Sequence, residues 1–210
     1  AAACRSLQTF QTEIAWRDFY FQILDSFPHV AAGCFRPEYN AIRWPGDPAH
    51  FEAWCAGRTG YPIVDAAMRQ LRDTGWMHNR LRMITASFLT KDLLLPWQLG
   101  ERHFMRCLAD GDLSANNGGW QWSASTGTDA APYFRVFAPV SQSRRFDPDG
   151  AFIRKYVPEL AELDNDAIHA PWESAPLELK RLGYPRPLVD HAKSRITAIA
   201  LFRNLRPGAP

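Results

Sequence analysis

Apolar residues recur along this chain at three- and four-residue spacings, in short stretches broken by Pro and Gly. No stretch of β-branched residues alternates apolar with polar. The pattern predicts an all-α domain of many short helices. Residues 12–27 read as the first, with Thr12 as N-cap and Pro28 as the stop. Glu13, Trp16, Arg17 and Tyr20 then fall at i, i+3, i+4 and i+7 and share a face that mixes charge with aromatic bulk. Residues 29–46, with Gly33, Pro37 and Pro45, read as irregular. Asp47-Pro48 gives a cap followed by Pro at the first helical position, and Gly57 a stop. Pro62 opens a helix that Gly75 ends, with Ile63, Val64, Ala67, Met68 and Leu71 as its buried stripe. A helix over 77–94, stopped by Pro96, turns Leu81, Ile84, Phe88 and Leu89 inward. It sets Asn79 and Met83 together on another side, flanked by Arg80 and Arg82. A short helix at 101–109, loops at 110–122 and 129–150, and short helices at 150–156 and 187–204 complete the reading.

At 210 residues the chain is expected to form a single domain over 1–210, and a 46% hydrophobic content excludes a disordered one. A formal net charge of +2 excludes the strong basic field of a non-specific nucleic-acid coat and leaves room for a local basic groove. Cys4, Cys34, Cys55 and Cys107 form no CxxC pair, which points to reduced thiols in a cytoplasmic protein and away from zinc. The longest apolar runs fall short of the roughly 18 residues of a membrane span, and residues 1–12 lack the apolar core of a signal peptide. The chain starts at Ala1 directly before a helical pattern, so it is expected to be an excerpt, truncated at its N-terminus, of a longer protein. The compositional departure is aromatic: 13% of residues, with eight Trp, a residue used mainly in cores and binding surfaces.

Chemistry concentrates between Asp110 and Trp122, in DGDLSANNGGWQW. Carboxylates, adjacent carboxamides, a Gly pair and tryptophans suit the polar edge and flat faces of a heteroaromatic ligand. The alternative is a polar surface loop with its Trp side chains in the core. Asp110-x-Asp112 is not a calcium loop, because Ser114 and Ala115 stand where that loop needs an acceptor and a Gly. TGTDAAP at 126–132 lacks phosphate-loop spacing. His78 has no second His at i+4 and no nearby Cys, so it reads as structural, and no metal is expected. Ser123 and Ser125 lack a nucleophile-elbow context. Trp44, Trp97 and Trp120, far apart in sequence, each read singly as core.

Three runs taken together change this reading: TEIAWRDFY at 12–20, GRTGYPIVDAAMRQLRDTGWMHNRLRMITASFLTKDLL at 57–94, and DGDLSANNGGWQWSASTGTDAAPYFRVFAP at 110–139. The chain closely resembles the flavin-binding catalytic domain of the photolyase/cryptochrome family over about residues 10–190. The resemblance implies a multi-helical domain that holds FAD in a U shape, uses light to move electrons, and binds DNA over a cavity leading to the flavin. Phe10, Trp76, Asn79, Arg82, Asp110, Gly111, Asp112, Asn116 and Trp120 are then expected at the cofactor. Asp112 would accept from the isoalloxazine edge, Asp110 would pair with Arg82, and Asn116 would face the flavin N5, as in members that keep the flavin reduced. Trp120, Trp97 and Trp44 match the family's electron-carrying tryptophan chain.

Glu13, Trp16, Asn79, Arg80, Met83 and Trp122 match residues that hold a flipped cyclobutane pyrimidine dimer. Glu13 would steady the developing radical anion. Arg17, Tyr20, Arg80, Arg135 and Gln142 are further expected contacts with DNA. Asn79 and Met83 differ from the residues of members acting on other lesions, so a class I dimer photolyase is the implied type. A cryptochrome-type photoreceptor without repair activity is the alternative, and a flavin-free helical DNA-binding fragment a third. The family's antenna domain, whose folate or deazaflavin this sequence leaves unknown, and its FAD-phosphate loop are absent from these residues. The implied partner is dimer-containing DNA, and the implied state a monomer off the membrane.

Overall fold

A computed structural model describes residues 2–174 and 176–205, with side chains from Ser6 onward, so the Cys4 thiol lies outside the described groups. The helices are α1 (Ala2–Ser26), α2 (Ala49–Cys55), α3 (Pro62–Thr74), α4 (Asn79–Ser87), α5 (Trp97–Cys107) and α6 (Leu113–Ala124). They continue as α7 (Pro139–Phe146), α8 (Ala151–Tyr156), α9 (Pro171–Ser174), α10 (Glu178–Leu182) and α11 (His191–Asn204). Short 3-10 turns link them, and among the described residues there is no strand.

Several boundaries differ from the sequence reading, each for a local reason. α1 starts at Ala2 and Thr12 is no cap: its hydroxyl donates to the Gln8 carbonyl at 2.9 Å, the bond a Thr makes inside a helix. α4 ends at Ser87 and runs on as a π-helical turn over Phe88–Asp92, so the chain leaves the helix well before Pro96. α5 begins at Trp97, immediately after that Pro, rather than at residue 101. The segment 110–122 is not a loop. Asp112 caps α6, and the polar run and Gly pair lie inside a helix. The segment 129–150 contains α7, opened by Pro139 at its first position. α9 and α10 were too short to show a period, and α11 begins at His191, where the Asp190 carboxylate accepts from Lys193 N–H at 3.1 Å.

Where the punctuation is strong, sequence and structure agree. Pro62 opens α3 and Gly75 closes it in the left-handed region at φ 68°, with Ile63, Val64, Ala67, Met68 and Leu71 buried. α6 is the central helix for function, packed against α1, α4 and α5. Its C-terminal end is held by Lys91, which is buried without a carboxylate partner. The Lys91 ammonium bonds to Ser125 Oγ at 2.9 Å and lies 3.8 Å over the Phe202 ring of α11. Burial pushes its pKa down to about 7. α1 meets α6 at Gly118, where an added Cβ would stand 2.1 Å from the Tyr20 ring. That close approach is why a helix-weakening Gly sits there. Cys34, Cys55 and Cys107 are free thiols, and no helix among the described residues is long and apolar enough to cross a membrane.

Candidate functional site

A cavity of about 630 Å³ opens between α1, α4 and the turn that leads into α6, within the size range of small-molecule and cofactor sites. The face of α1 expected from sequence, Glu13, Trp16, Arg17 and Tyr20, forms one wall. Trp16 and Tyr20, one helical turn apart, lie 5.9 Å centroid to centroid with a 30° tilt. Burial pushes the Tyr20 pKa up, helped by the charges of Asp129 and Glu13, so its hydroxyl stays protonated. Asn79, Arg82 and Met83 of α4 form a second wall, with Trp76 in the turn before it. Asp110, Gly111, Asp112, Asn116, Trp120 and Trp122 complete the lining.

The polar groups are fixed by bonds that leave a defined remainder for a ligand. Arg82 Nε donates to the Met77 carbonyl at 2.7 Å, and its Nη2 donates to Asp110 Oδ2 at 2.8 Å and Oδ1 at 3.0 Å. The guanidinium is therefore held at both ends. Asp112 Oδ1 accepts from Ser114 Oγ at 2.5 Å and from Ala115 N–H at 2.9 Å. Desolvation opposes the Asp112 charge. The bonds from Ala115 and Ser114 and the nearby Arg17 outweigh it, and the carboxyl sits below its ordinary range. Asn116 Nδ2 donates to the Glu101 carbonyl at 3.0 Å. A carbonyl can only accept, so the amide is oriented with Nδ2 toward α5, and its Oδ1 is the atom left for the cavity.

Gly119 also lines the cavity, and a Cβ there would meet nothing within 4 Å. A flat ring can therefore lie against bare backbone beside Asn116. A charged pair, a carboxylate acceptor, an amide oxygen and an indole wall form the donor and acceptor set that a flavin ring edge requires, so these residues fit FAD.

Other sequence-named residues lie elsewhere. Trp97 is 1% exposed in the core and Trp44 is half-buried with its ring 6.4 Å from Phe202, so neither reaches the cavity. Arg80, beside Asn79, places its guanidinium 4.5 Å over the Phe146 ring, and Arg145 lies 5.2 Å from the same ring. Arg135 is exposed, and Gln142 Oε1 is buried without a partner. Phe10 is 63% exposed and outside the cavity wall, so the structure does not bring it to the other cofactor-site residues. His78 is exposed, and its Nδ1 accepts from Arg80 N–H at 3.0 Å as the cap of α4. Among the described residues no group of three His, Cys, Asp or Glu is placed to hold a metal ion.

Sequence reasoning missed Phe104 on the cavity wall and Trp54 behind it, whose rings lie 5.0 Å and 6.0 Å from Trp120. Trp54 sits on α2, remote in sequence from α6, and Phe104 on α5, the helix just before it, where the spacing of Trp97, Gly100 and Phe104 along one face hinted at the packing.

The family model described as the FAD binding domain of DNA photolyase matches residues 10–204. The chain is 55% identical to the deoxyribodipyrimidine photo-lyase of Salmonella typhimurium and 53% identical to that of Escherichia coli. It aligns over 94% and 93% of its own length and 42% of each relative. It superposes on a class III photolyase from Agrobacterium tumefaciens with a TM-score of 0.88 at 45% identity, covering 94% of this chain and 42% of that one. It superposes on a Synechocystis cryptochrome with a TM-score of 0.85 at 36% identity, covering 92% and 41%. The chain thus spans about two fifths of the curated relatives it matches.

Proposed function

Because this chain belongs to the family of FAD-binding domains of DNA photolyases, we propose that it is the flavin-binding part of a longer enzyme that repairs cyclobutane pyrimidine dimers in light. The observation that carries the proposal is one cavity walled by both residue sets: Arg82, Asp110, Asp112 and Asn116 for the flavin, and Glu13, Trp16, Asn79, Met83 and Trp122 for the lesion. Reduced FAD, when bound, would supply under light the electron that opens the cyclobutane ring and would recover it once the two pyrimidines separate.

The protein's part is positioning. Arg82, Asp110 and Asp112, all on the cavity wall, would hold the flavin ring, with Asp112 as an acceptor for its polar edge. Asn116 Oδ1, oriented by the bond from Nδ2 to the Glu101 carbonyl, would accept a hydrogen bond from a protonated flavin N5 and so favour the reduced form. Trp16 and Trp122 pack the flipped pyrimidines, and Glu13 bonds to the dimer where charge develops. Arg80, Arg135 and Gln142 meet the DNA near the lesion. The same reading has the longer protein act in the cytoplasm as a monomer. A photoreceptor without repair stands second, and the gathering of the lesion-wall residues on one cavity favours repair over it.

Titration of the full-length apoprotein with FAD tests the cofactor half. Arg82→Ala leaves the Asp110 charge without its bidentate partner and is expected to weaken FAD affinity by more than about tenfold, the scale of a charged hydrogen bond. Unchanged affinity would remove Arg82 from the site.

A further inference from the structure

We propose that Gly100 sets the gap of the inner electron hop, from Trp97 to Trp120, by letting the Trp120 ring lie directly on the backbone of α5. This rests on the flavin and tryptophan-chain reading above. A Cβ built on Gly100 would stand 2.0 Å from Trp120 Cη2, 2.5 Å from Cζ3 and 2.6 Å from Cζ2. Unstrained carbon contacts settle at about 3.5–4.0 Å. Trp97, Gly100 and Phe104 fall at i, i+3 and i+7 of α5 and share a face, so Trp120 is seated on the same helix that carries Trp97. Phe104 closes the ring in at 5.0 Å and 78°, and Trp54 at 6.0 Å and 72°. Trp120 is 2% exposed and belongs to the cavity wall. A side chain at position 100 therefore lifts the Trp120 ring off α5, the helix that carries Trp97.

The electron count fixes what that displacement does. Trp120 gives one electron to the photoexcited oxidised cofactor, Trp97 refills Trp120, Trp44 refills Trp97, and an added thiol such as dithiothreitol refills Trp44. Tunnelling weakens steeply with distance. A wider gap slows the refilling of Trp120 and leaves the first step intact, so Trp120 takes its electron back. Repair from chemically reduced cofactor needs none of these hops.

The test is Gly100→Ala in the full-length protein. It compares photoreduction in dithiothreitol, the yield of long-lived tryptophan radical by transient absorption, and dimer repair after reduction by dithionite in the dark. The expected result is bound FAD, wild-type repair by the pre-reduced variant, and a several-fold loss of photoreduction and radical yield. Wild-type photoreduction with FAD bound overturns the proposal. Absence of repair by pre-reduced wild-type protein would instead count against the functional reading. Should Gly100→Ala fail to hold FAD, Gly100→Ala/Trp54→Phe opens room behind the ring. FAD binding regained with slow photoreduction supports the assignment. FAD binding regained with normal photoreduction, or absent in both variants, overturns it in favour of a packing role.

Discussion

Asp112 caps α6 through Oδ1 and places its negative charge at the positive end of that helix, while the same carboxylate faces the cavity. The cap predicts a pH signature. The folded carboxyl lies below its ordinary value of 3.8. Its stabilisation is therefore fully present above that value and is lost as pH falls through the lower folded one. Asn at this position keeps a cap acceptor without the charge. Asp112→Asn is expected to cost about 0.3–1 kcal/mol at neutral pH, the dipole contribution, and the difference from wild type should close in strong acid. Thermal melts of both proteins across that range measure it, and a gap that persists in acid would separate the cap from its charge. The residue scale also shows what sequence could read. Glu13, Trp16, Arg17 and Tyr20 were legible as one face because helical spacing fixes side-chain direction wherever the helix begins. Phe10 was not, because a resemblance names a position and cannot show whether its side chain reaches the cavity wall.

At the scale of elements, α6 decides where the cavity is. Its N-terminal turn presents Asp112 and Asn116, its middle touches α1 and α5, and its C-terminal end rests on Lys91. The neighbouring glycines inside it have opposite tasks. Gly118 admits the Tyr20 ring, and Gly119 faces open space. Gly118→Ala is expected to destabilise by about 1–3 kcal/mol through overpacking, more than the gain in helix propensity of about 1 kcal/mol. Gly119→Ala, free of neighbours, is expected to stabilise by about 0.5–1 kcal/mol. Urea unfolding of the pair decides between them, and equal effects would deny that α1 docks on Gly118. This double use of glycine also explains why α6 was illegible. A polar run with adjacent Gly has the composition of a loop, and what makes it a helix is the Asp112 cap and tertiary contact with α1 and α5. α7 was hidden in the same way behind Pro139, which opens a helix as readily as it marks a loop.

For the molecule as a whole, the fold class and the strongly punctuated helices followed from periodicity. The cavity did not, because it is made where α1, α4 and α6 meet and no one of them contains it. The resemblance carried by three runs of residues implies that meeting point, and the fold divides the named residues into those on the wall and those held elsewhere. The central claim is that one cavity serves flavin and lesion together. Its most direct test is illumination of the full-length protein, reduced in the dark, with dimer-containing DNA, comparing wild type with Trp16→Ala/Trp122→Ala at equal FAD content. The account expects the wild type to convert dimers to free pyrimidines only in light, and the double variant to keep its flavin spectrum while losing most of that activity. Undiminished dimer levels with wild-type protein, or full repair by the double variant, would contradict it.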